Sequence, residues 1–367
     1  MPLLFYAWIA ASSAAMNCIQ AGLFVECCAF RLSSTLNKSM EMTMANAIRF
    51  TATGAPDVLQ LHAVSEQAPG SGEVWLEQAA VGVNYLDVSQ RKGAVPVALP
   101  SGLGLEGAGR VAAVGAGVSN VRVGDRVAYA TGPLGGYASA RLFPAERLVK
   151  IPDELSFEDA AAVLFKGITA QYLLKATYPV GPGTTMLVYG VAGGLGEIMV
   201  PWAKHLGATV IGVVSKQASV DKARASGCDE VLVFDAETLA ADVVRITEGR
   251  KVDVVYDPIG RVSFQASLDS LRPRGLMVSF GAQTGAPAAV EMATLNAKGS
   301  LFLTRPSLAA HTATTAEYQE RAQDVLAAVA AGIITPQIRA RYSLADAAQA
   351  HADLESGRSS GAIILKP

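Results

Sequence analysis

The sequence predicts an α/β protein in which a β-rich domain precedes a doubly wound parallel sheet. The chain has 367 residues, which suffices for two domains. Short strand patterns between Gly and Pro turns fill its first half, and from Thr185 onward strand and helix patterns alternate. A glycine cluster at Gly190, Gly193, Gly194 and Gly196 joins the first strand of the second half to its first helix.

Composition excludes several classes of function. The chain has 30 basic and 32 acidic residues, so neither nucleic acid nor an anionic membrane is an expected partner. Cys18, Cys27 and Cys28 lie near the start, which leaves Cys228 alone in the remainder. One cysteine supports neither a disulfide framework nor a four-thiolate zinc site, and we therefore expect a cytoplasmic protein.

Residues 1–43 differ in composition from the remainder. They are apolar, but the first positive charge is Arg31, so the basic start of a secretory signal is missing. Asn17 and Gln20 interrupt the run before it reaches the ~20 apolar residues of a membrane span. We expect an extension that is disordered or precedes the true start, with a targeting segment or an ordered structural role as alternatives. The candidate starts are Met40, Met42 and Met44.

The first domain begins with alternating apolar patterns. These predict strands at 73–81, 109–115 and 125–130. Turn signals such as Pro69-Gly-Ser-Gly separate them. Ser156-Phe-Glu-Asp resembles a capping box and predicts a helix within 152–178.

The second half opens with a strand, a glycine turn, a helix and a second strand. The apolar run 186–189 precedes the glycines, and the β-branched run 209–214 follows the helix. This unit places a dinucleotide pyrophosphate at a helix N-terminus. Ser215 stands nineteen residues after Gly196, where the ribose-reading residue is expected. Later strands are predicted at 231–234, 252–257, 276–281, 300–304 and 362–365, with a helix at 316–331.

Short motifs from residue 45 onward carry a family resemblance. They are Gly82-Val-Asn-Tyr-Leu-Asp, Pro100-Ser-Gly-Leu-Gly-Leu-Glu-Gly-Ala-Gly, Gly124-Asp-Arg-Val, Leu164-Phe-Lys-Gly-Ile-Thr-Ala, Ala192-Gly-Gly-Leu-Gly, Val254-Val-Tyr-Asp, Arg274-Gly-Leu-Met-Val-Ser-Phe-Gly and Leu303-Thr-Arg-Pro-Ser-Leu. In this order and spacing they resemble the zinc-independent, zeta-crystallin-like quinone oxidoreductases of the medium-chain dehydrogenase/reductase superfamily.

The resemblance implies a domain organisation and a reaction. It implies a GroES-like β-rich catalytic domain at 44–167 and 304–367 and a Rossmann doubly wound domain at 168–303, with a cleft between them. The expected reaction is hydride transfer from NADPH to a quinone. Reduction of an α,β-unsaturated carbonyl compound (an alkenal, an enone or an enoyl thioester) is the alternative, and a non-catalytic NADPH-binding structural or regulatory role is a third possibility.

Residue differences from the zinc members imply metal-independent chemistry. Those members place a metal-binding cysteine where this chain has Asn84, and their Gly-His-Glu corresponds to Gly104-Leu105-Glu106. The histidines, none at a ligand position, are His62, His205, His311 and His351. A quinone or conjugated carbonyl accepts hydride without a Lewis acid, because conjugation delocalises the developing charge.

By resemblance, three residues are candidates for catalysis. Asn84 offers an amide donor, Thr169 lies near the nicotinamide beside Lys166 at the start of the helix entering the Rossmann domain, and Arg305 lies where the chain returns to the cleft. Simple packing is the alternative for Thr169 and Tyr172, and a solvated turn position for Asp87. The candidate cofactor-binding residues are Tyr85, Asp87, Ser89, Tyr172, Gly193, Gly194, Leu195, Gly196, Ser215, Lys216, Ser219, Phe234, Pro258, Phe280, Gly281, Ala282, Pro306 and Arg358.

The end of the second strand predicts a preference for NADPH over NADH. NAD enzymes have an acidic residue there, which repels a 2′-phosphate, whereas this chain has Ser215 and Lys216. Ser219 and Phe234 replace a lysine and a tyrosine of the family, and Lys216 and Arg358 are the expected substitutes.

A homodimer is the expected assembly. The apolar strand 300–304 lies, by resemblance, at the edge of the Rossmann sheet, and an exposed apolar edge invites pairing with its own copy. A loop of the same chain covering this edge is the alternative. We expect Leu301→Lys to prevent pairing.

Overall fold

The computed structural model describes residues 44–357 and 361–367. The predicted extension at 1–43 and the predicted cofactor contact Arg358 lie outside these described residues.

The strands and helices follow one another in chain order. The strands are β1 (Met44–Phe50), β2 (Gln60–Ser65), β3 (Glu73–Val83), β4 (Ser101–Gly102), β5 (Glu106–Val114), β6 (Arg126–Ala130), β7 (Ala140–Pro144), β8 (Val149–Lys150), β9 (Thr185–Tyr189), β10 (Thr209–Val214), β11 (Glu230–Val233), β12 (Val252–Asp257), β13 (Leu271–Ser279), β14 (Phe302–Thr304), β15 (Ile338–Ser343) and β16 (Ala362–Lys366). The helices are α1 (Tyr85–Arg91), α2 (Phe157–Gln171), α3 (Gly196–His205), α4 (Val220–Ala225), α5 (Leu239–Ile246), α6 (Phe264–Asp269), α7 (Met292–Ala297), α8 (Leu308–His311), α9 (Thr315–Ala330) and α10 (Ala347–Glu355).

Strands from the second half form one parallel sheet. In the described residues its order is β11-β10-β9-β12-β13-β14, and every neighbouring pair is parallel. β9 and β12 are buried at every position, which is why their sequences are mostly apolar rather than alternating; Asp253 and Asp257 are the buried polar exceptions in β12. The predicted doubly wound sheet is confirmed.

Strands from both ends of the chain form the β-rich part. Within the described residues, β15-β16-β3-β5-β6-β8 form one sheet with β7 also paired to β3, and β2-β1-β4 form a smaller one. β16 pairs antiparallel with β3, so the C-terminal segment returns to the first half of the chain. The predicted α/β fold with a β-rich part is confirmed.

Helix α2 connects the two regions. The Ser156 hydroxyl accepts a hydrogen bond from the Asp159 N–H at 3.0 Å, so the predicted cap is present. The last turns continue as a π-helix at Tyr172–Thr177. Most of α2 is buried in the largest hydrophobic cluster, together with β9 and residues of α9.

The edge strand β14 begins later in the chain than predicted, and this changes which of its side chains is exposed. The strand begins at Phe302, not at residue 300, and Leu301 is only 6% exposed because it packs into the core between β13 and the neighbouring helices. Phe302 is 60% exposed. A lysine at Leu301 would therefore disrupt the core of the monomer, so the expectation that it reports on pairing was wrong.

Gly196 gives a prediction about stability. A Cβ at this position would collide with the backbone of Val191, so Gly196→Ala should lower the free energy of unfolding by about 1–3 kcal/mol in urea denaturation. Gly181→Ala is the matched control, because nothing lies within 4 Å of a Cβ placed there. Equal stability of the two variants would contradict the close contact of α3 with its turn.

Candidate functional site

The predicted cofactor residues collect at one edge of the parallel sheet. Taken strand by strand, the residues that follow β9, β10, β11, β12, β13 and β14 are Gly193, Gly194, Leu195, Gly196, Ser215, Lys216, Ser219, Phe234, Pro258, Phe280, Gly281, Ala282, Arg305 and Pro306. Since the strands are parallel, their carboxyl ends share this edge, and the strand order reverses between β9 and β12. The crevice at such a reversal is where open α/β sheets bind ligands.

The glycine turn leaves backbone donors available at the N-terminus of α3. Within the described residues, the N–H groups of Gly194, Leu195 and Gly196 donate to no protein acceptor. Three such donors at the start of a helix favour an anion, because the helix dipole adds positive potential there. The turn therefore fits a dinucleotide pyrophosphate.

Asn84 is held by a buried carboxylate. It directly precedes α1, and its Nδ2 donates to Oε2 of Glu106 at 2.9 Å. The other oxygen of Glu106 accepts from the Phe165 N–H at 2.7 Å. Burial raises the pKa of Glu106, and the nearby Lys166 ammonium opposes this rise. The carboxylate thus fixes the Asn84 amide against α2.

Lys166 brings positive charge from α2 to the glycine turn. Its Nζ lies 3.7 Å from Oε2 of Glu106. A Cβ built on Gly194 would lie 3.4 Å from Cε of Lys166 and 3.2 Å from the Gly361 carbonyl. The contact between the two regions is therefore close, and it joins the Glu106 pair to the turn.

Asp87 does not line the cleft through its side chain. The residue is fully buried, and its Oδ2 accepts from the Asn84 N–H at 2.8 Å and from the Tyr137 hydroxyl at 2.9 Å. This corrects the expected cofactor contact and the alternative of a solvated turn position. The physical reason is that the start of α1 needs an acceptor for the Asn84 N–H, and Asp87, three residues later, provides it.

Behind α1 lies a buried polar cluster. The Tyr137 hydroxyl is 2.9 Å from Nε2 of His351, and Arg91 pairs with Glu355 at 2.8 Å. Burial and the Arg91 charge lower the pKa of His351 to about 3, so the ring is neutral at physiological pH. The cluster supports α1 and the Asn84 segment from within the β-rich part.

The other residues predicted on this side have mixed environments. The Thr169 hydroxyl donates to the Phe165 carbonyl at 2.9 Å within α2. Tyr172 is buried and stacks on His311 with ring centroids 4.3 Å apart, which fits the packing alternative. Tyr85 is 51% exposed and donates to the Leu354 carbonyl at 3.2 Å. The Ser89 hydroxyl donates to the carbonyl of Tyr85.

At the ribose end, Ser215 and Lys216 are exposed after β10. The Ser219 N–H donates to the Lys216 carbonyl at 3.0 Å, which closes a short turn. Phe234 packs edge-on against Tyr189 at 5.9 Å between ring centroids. The structure therefore places a hydroxyl, a cation and an aromatic ring at adjacent strand ends.

The segments after β12, β13 and β14 also meet. A Nη1 hydrogen bond of 3.3 Å joins Arg305 to the Gly281 carbonyl. The Gln283 N–H donates to the Pro258 carbonyl at 3.2 Å, and a Cβ on Gly281 would collide with Pro258. These contacts bring Arg305 next to 280–282 at the crevice.

An ion triad crosses from α3 to the β-rich sheet. Glu197, in the first turn of α3, has Oε1 2.9 Å from Nζ of Lys222 and 3.1 Å from Nη2 of Arg339. Lys222 also donates to the Ala192 carbonyl of the glycine turn at 2.8 Å. Since Arg339 lies on β15, the triad ties the start of the cofactor helix to the other sheet.

The residues do not fit a catalytic metal. Leu105 is aliphatic, and the Asn84 amide is directed at Glu106. Within residues 44–357 and 361–367, no group of three or more His, Cys, Asp or Glu side chains is placed to hold a metal ion. Zinc in this superfamily requires thiolate and imidazole ligands that these positions do not supply.

Several site residues were missed at the level of sequence. The sequence predicted no role for either Lys166 or Glu106: it placed Lys166 only at the start of a helix and Glu106 only within a family motif. The available signal was a lysine within the otherwise apolar run 160–170. Tyr137 and His351 gave no signal, since Tyr137 reaches Asp87, and His351 reaches Tyr137, only through long-range contacts.

Comparisons with known proteins agree with this arrangement. Residues 70–153 match the alcohol dehydrogenase GroES-like domain and residues 226–365 match the zinc-binding dehydrogenase model. A quinone oxidoreductase of Pseudomonas aeruginosa is 43% identical over 325 residues, which is 88% of this chain and 100% of the relative. A 2-haloacrylate reductase of Burkholderia is 41% identical over 334 residues, 89% of this chain and 99% of the relative.

Solved structures are similar over the same length. The crystal structure of Escherichia coli quinone oxidoreductase complexed with NADPH has a TM-score of 0.84 at 41% identity, covering 88% of this chain and 100% of that one. A GroES-like part joined to a parallel Rossmann sheet defines the class of medium-chain dehydrogenases and reductases. Within that class, the chain belongs to the quinone oxidoreductase family.

Asp87 gives a prediction about pH. Burial raises the pKa of this carboxyl from 3.8 to about 7. Between these values the folded chain keeps a proton that the unfolded chain has lost, so rising pH lowers stability. The stability of wild type relative to Asp87→Asn should therefore fall by about 2–3 kcal/mol between about pH 5 and pH 8.

The measurement is urea denaturation of both proteins across this pH range. His351 contributes a pH dependence of the opposite sign, because its lowered pKa means that the folded state loses stability as the pH falls. This contribution is present in both proteins and cancels when wild type is compared with Asp87→Asn. Asp221→Asn, at a fully exposed carboxylate, is the control and should run parallel to wild type. A constant difference between wild type and Asp87→Asn would contradict the burial of a protonated Asp87.

Proposed function

We propose that this protein transfers hydride from NADPH to a quinone without a metal ion. The observation that carries the proposal is the crevice itself, where a glycine turn with free N–H donors lies beside the Asn84–Glu106–Lys166 group. The full-length similarity to quinone oxidoreductases, one of them complexed with NADPH, supports the same reading.

The chain's residues act by placement. When bound, NADPH supplies a hydride from its nicotinamide ring. The glycine turn and Lys216 orient the phosphates, Asn84 offers an amide donor in the cleft, and Arg305 covers the strand ends beside Gly281. The quinol oxygen takes its proton from solvent, so the reaction needs no dedicated acid residue. Rate then comes from orientation and a preorganised polar site.

Reduction of a conjugated carbonyl compound is the second candidate. The full-length similarity to a 2-haloacrylate reductase favours it, because that relative is named for an unsaturated acid. The hydride chemistry is the same, but an alkene product requires a proton on carbon.

The domain boundaries and location are part of the proposal. We assign 44–167 and 304–367 to the catalytic domain and 168–303 to the Rossmann domain, consistent with the strands of the two larger sheets. Cys228 is buried and free, and burial raises its pKa to about 12, so the thiol is unreactive. A cytoplasmic location agrees with such a thiol. Within the described residues, no helix has the length and apolarity needed to cross a bilayer.

The proposed assembly is a homodimer through β14. This strand is the last of the parallel sheet, and its Phe302 and Leu303 side chains are exposed. An open apolar edge can pair with the same strand of a second copy about a two-fold axis, which continues the sheet across both subunits.

The acceptor is tested by NADPH oxidation. We expect consumption with phenanthrenequinone, and little with an alkenal, both before and after dialysis against a chelator. Activity that disappears with the chelator would contradict the metal-independent mechanism. Turnover of the alkenal alone would favour the second candidate, and tight NADPH binding without turnover of either would favour a non-catalytic role.

The dimer is tested by sedimentation of the chain that starts at Met44. Phe302→Lys should convert the dimer to a monomer, because a charge would be buried against its own copy. Val123→Lys is the matched control, since Val123 is 59% exposed and lies away from β14. A wild-type monomer at micromolar concentration, or a Phe302→Lys dimer, would contradict pairing through this edge.

A further inference from the structure

Lys166 carries a buried ammonium without a hydrogen-bond acceptor. Its side chain is 12% exposed, and its Nζ is fully buried with no partner within hydrogen-bond distance among the described residues. Oε2 of Glu106, at 3.7 Å, supplies charge but lies beyond hydrogen-bond range. An ammonium has three donors, and leaving them unpaired in the interior is unfavourable. An acceptor that is not part of the protein would satisfy them.

The position of Lys166 indicates the kind of acceptor. The 3.4 Å separation between its Cε and a Cβ built on Gly194 places the ammonium beside the turn that starts α3. The free N–H groups of Gly194, Leu195 and Gly196 lie on the same turn. An ammonium and several backbone N–H groups on one turn suit a doubly charged pyrophosphate better than a neutral carbonyl.

We propose that Lys166 binds an oxyanion of the cofactor pyrophosphate and is a cofactor-binding residue that serves NADPH and NADH alike. This inference rests on the proposed dinucleotide cofactor but not on the proposed quinone. Glu106 is the positioning residue, since its Oε2 contacts both the Lys166 ammonium and the Asn84 amide. Binding of the pyrophosphate is thereby connected to the orientation of Asn84 in the cleft.

The test is equilibrium binding of NADPH, NADH and ADP-ribose to the full chain. Binding is monitored through the quenching of tryptophan fluorescence. Lys166→Met should weaken all three by the same factor, roughly tenfold to hundredfold, because all share the pyrophosphate. Lys216→Ala should weaken NADPH alone, because the sequence predicts that Lys216 contacts the 2′-phosphate, which NADH and ADP-ribose lack. Lys175→Met is the matched control, since Lys175 follows on the same helical run but pairs with Asp324 at the surface.

A second variant tests whether a loss of affinity arises from misfolding. Lys166→Met leaves the buried Glu106 carboxylate without a counter-charge. The double variant Glu106→Gln/Lys166→Met removes both charges and should show the same loss of affinity with a cooperative unfolding transition. Unchanged affinity for all three ligands would overturn the inference alone. Unchanged affinity with a lower kcat/KM for the quinone would assign Lys166 to the acceptor instead. Wild-type protein that binds none of them would overturn the proposed cofactor as well.

Discussion

The site depends on one buried carboxylate at the junction of three chain segments. Glu106, on β5, accepts from the Phe165 N–H of α2 and from the Asn84 amide before α1, with Lys166 nearby. A buried carboxylate without these partners would be unfavourable by several kcal/mol, on the order of a lost buried ion pair. Gly82 lies on the adjacent strand, where any Cβ would collide with the carboxylate. The position of Asn84 is therefore set by the requirement to satisfy Glu106.

The second constraint is the parallel arrangement of β9 to β14. Parallel strands bring loops that are far apart in sequence to one edge of the sheet. Short segments such as 193–196, 215–216 and 280–282 therefore lie at the same edge because of the sheet topology, and not because their side chains contact one another. The helix N-terminus at Gly196 faces this edge, and its free N–H groups attract an anion there. Sheet topology thus provides the cofactor crevice, and the β-rich part contributes Asn84 and Lys166 to it.

What the sequence predicts follows from local rules. The apolar runs at 252–257 and 209–214 and the Ser156 cap correspond closely to β12, β10 and the start of α2, because strand burial and capping are encoded by neighbouring residues. The burial of Asp87 was not predictable, since Tyr137 donates to it from a distant part of the chain and His351 in turn contacts Tyr137. A shift of one residue reverses which side chain of an edge strand faces the core, which is why Leu301 was expected at the exposed edge whereas Phe302 lies there.

The charges beside the glycine turn explain how a carboxylate can occupy the first turn of a phosphate-binding helix. Alone, Glu197 would repel the pyrophosphate. Lys222 and Arg339 both contact its Oε1, so the triad carries a net positive charge at this position. Arg339 comes from β15, in the sheet that also contains Glu106 on β5. The contact that joins the two regions at this point is therefore also one of the two contacts that neutralise Glu197 beside the anion site.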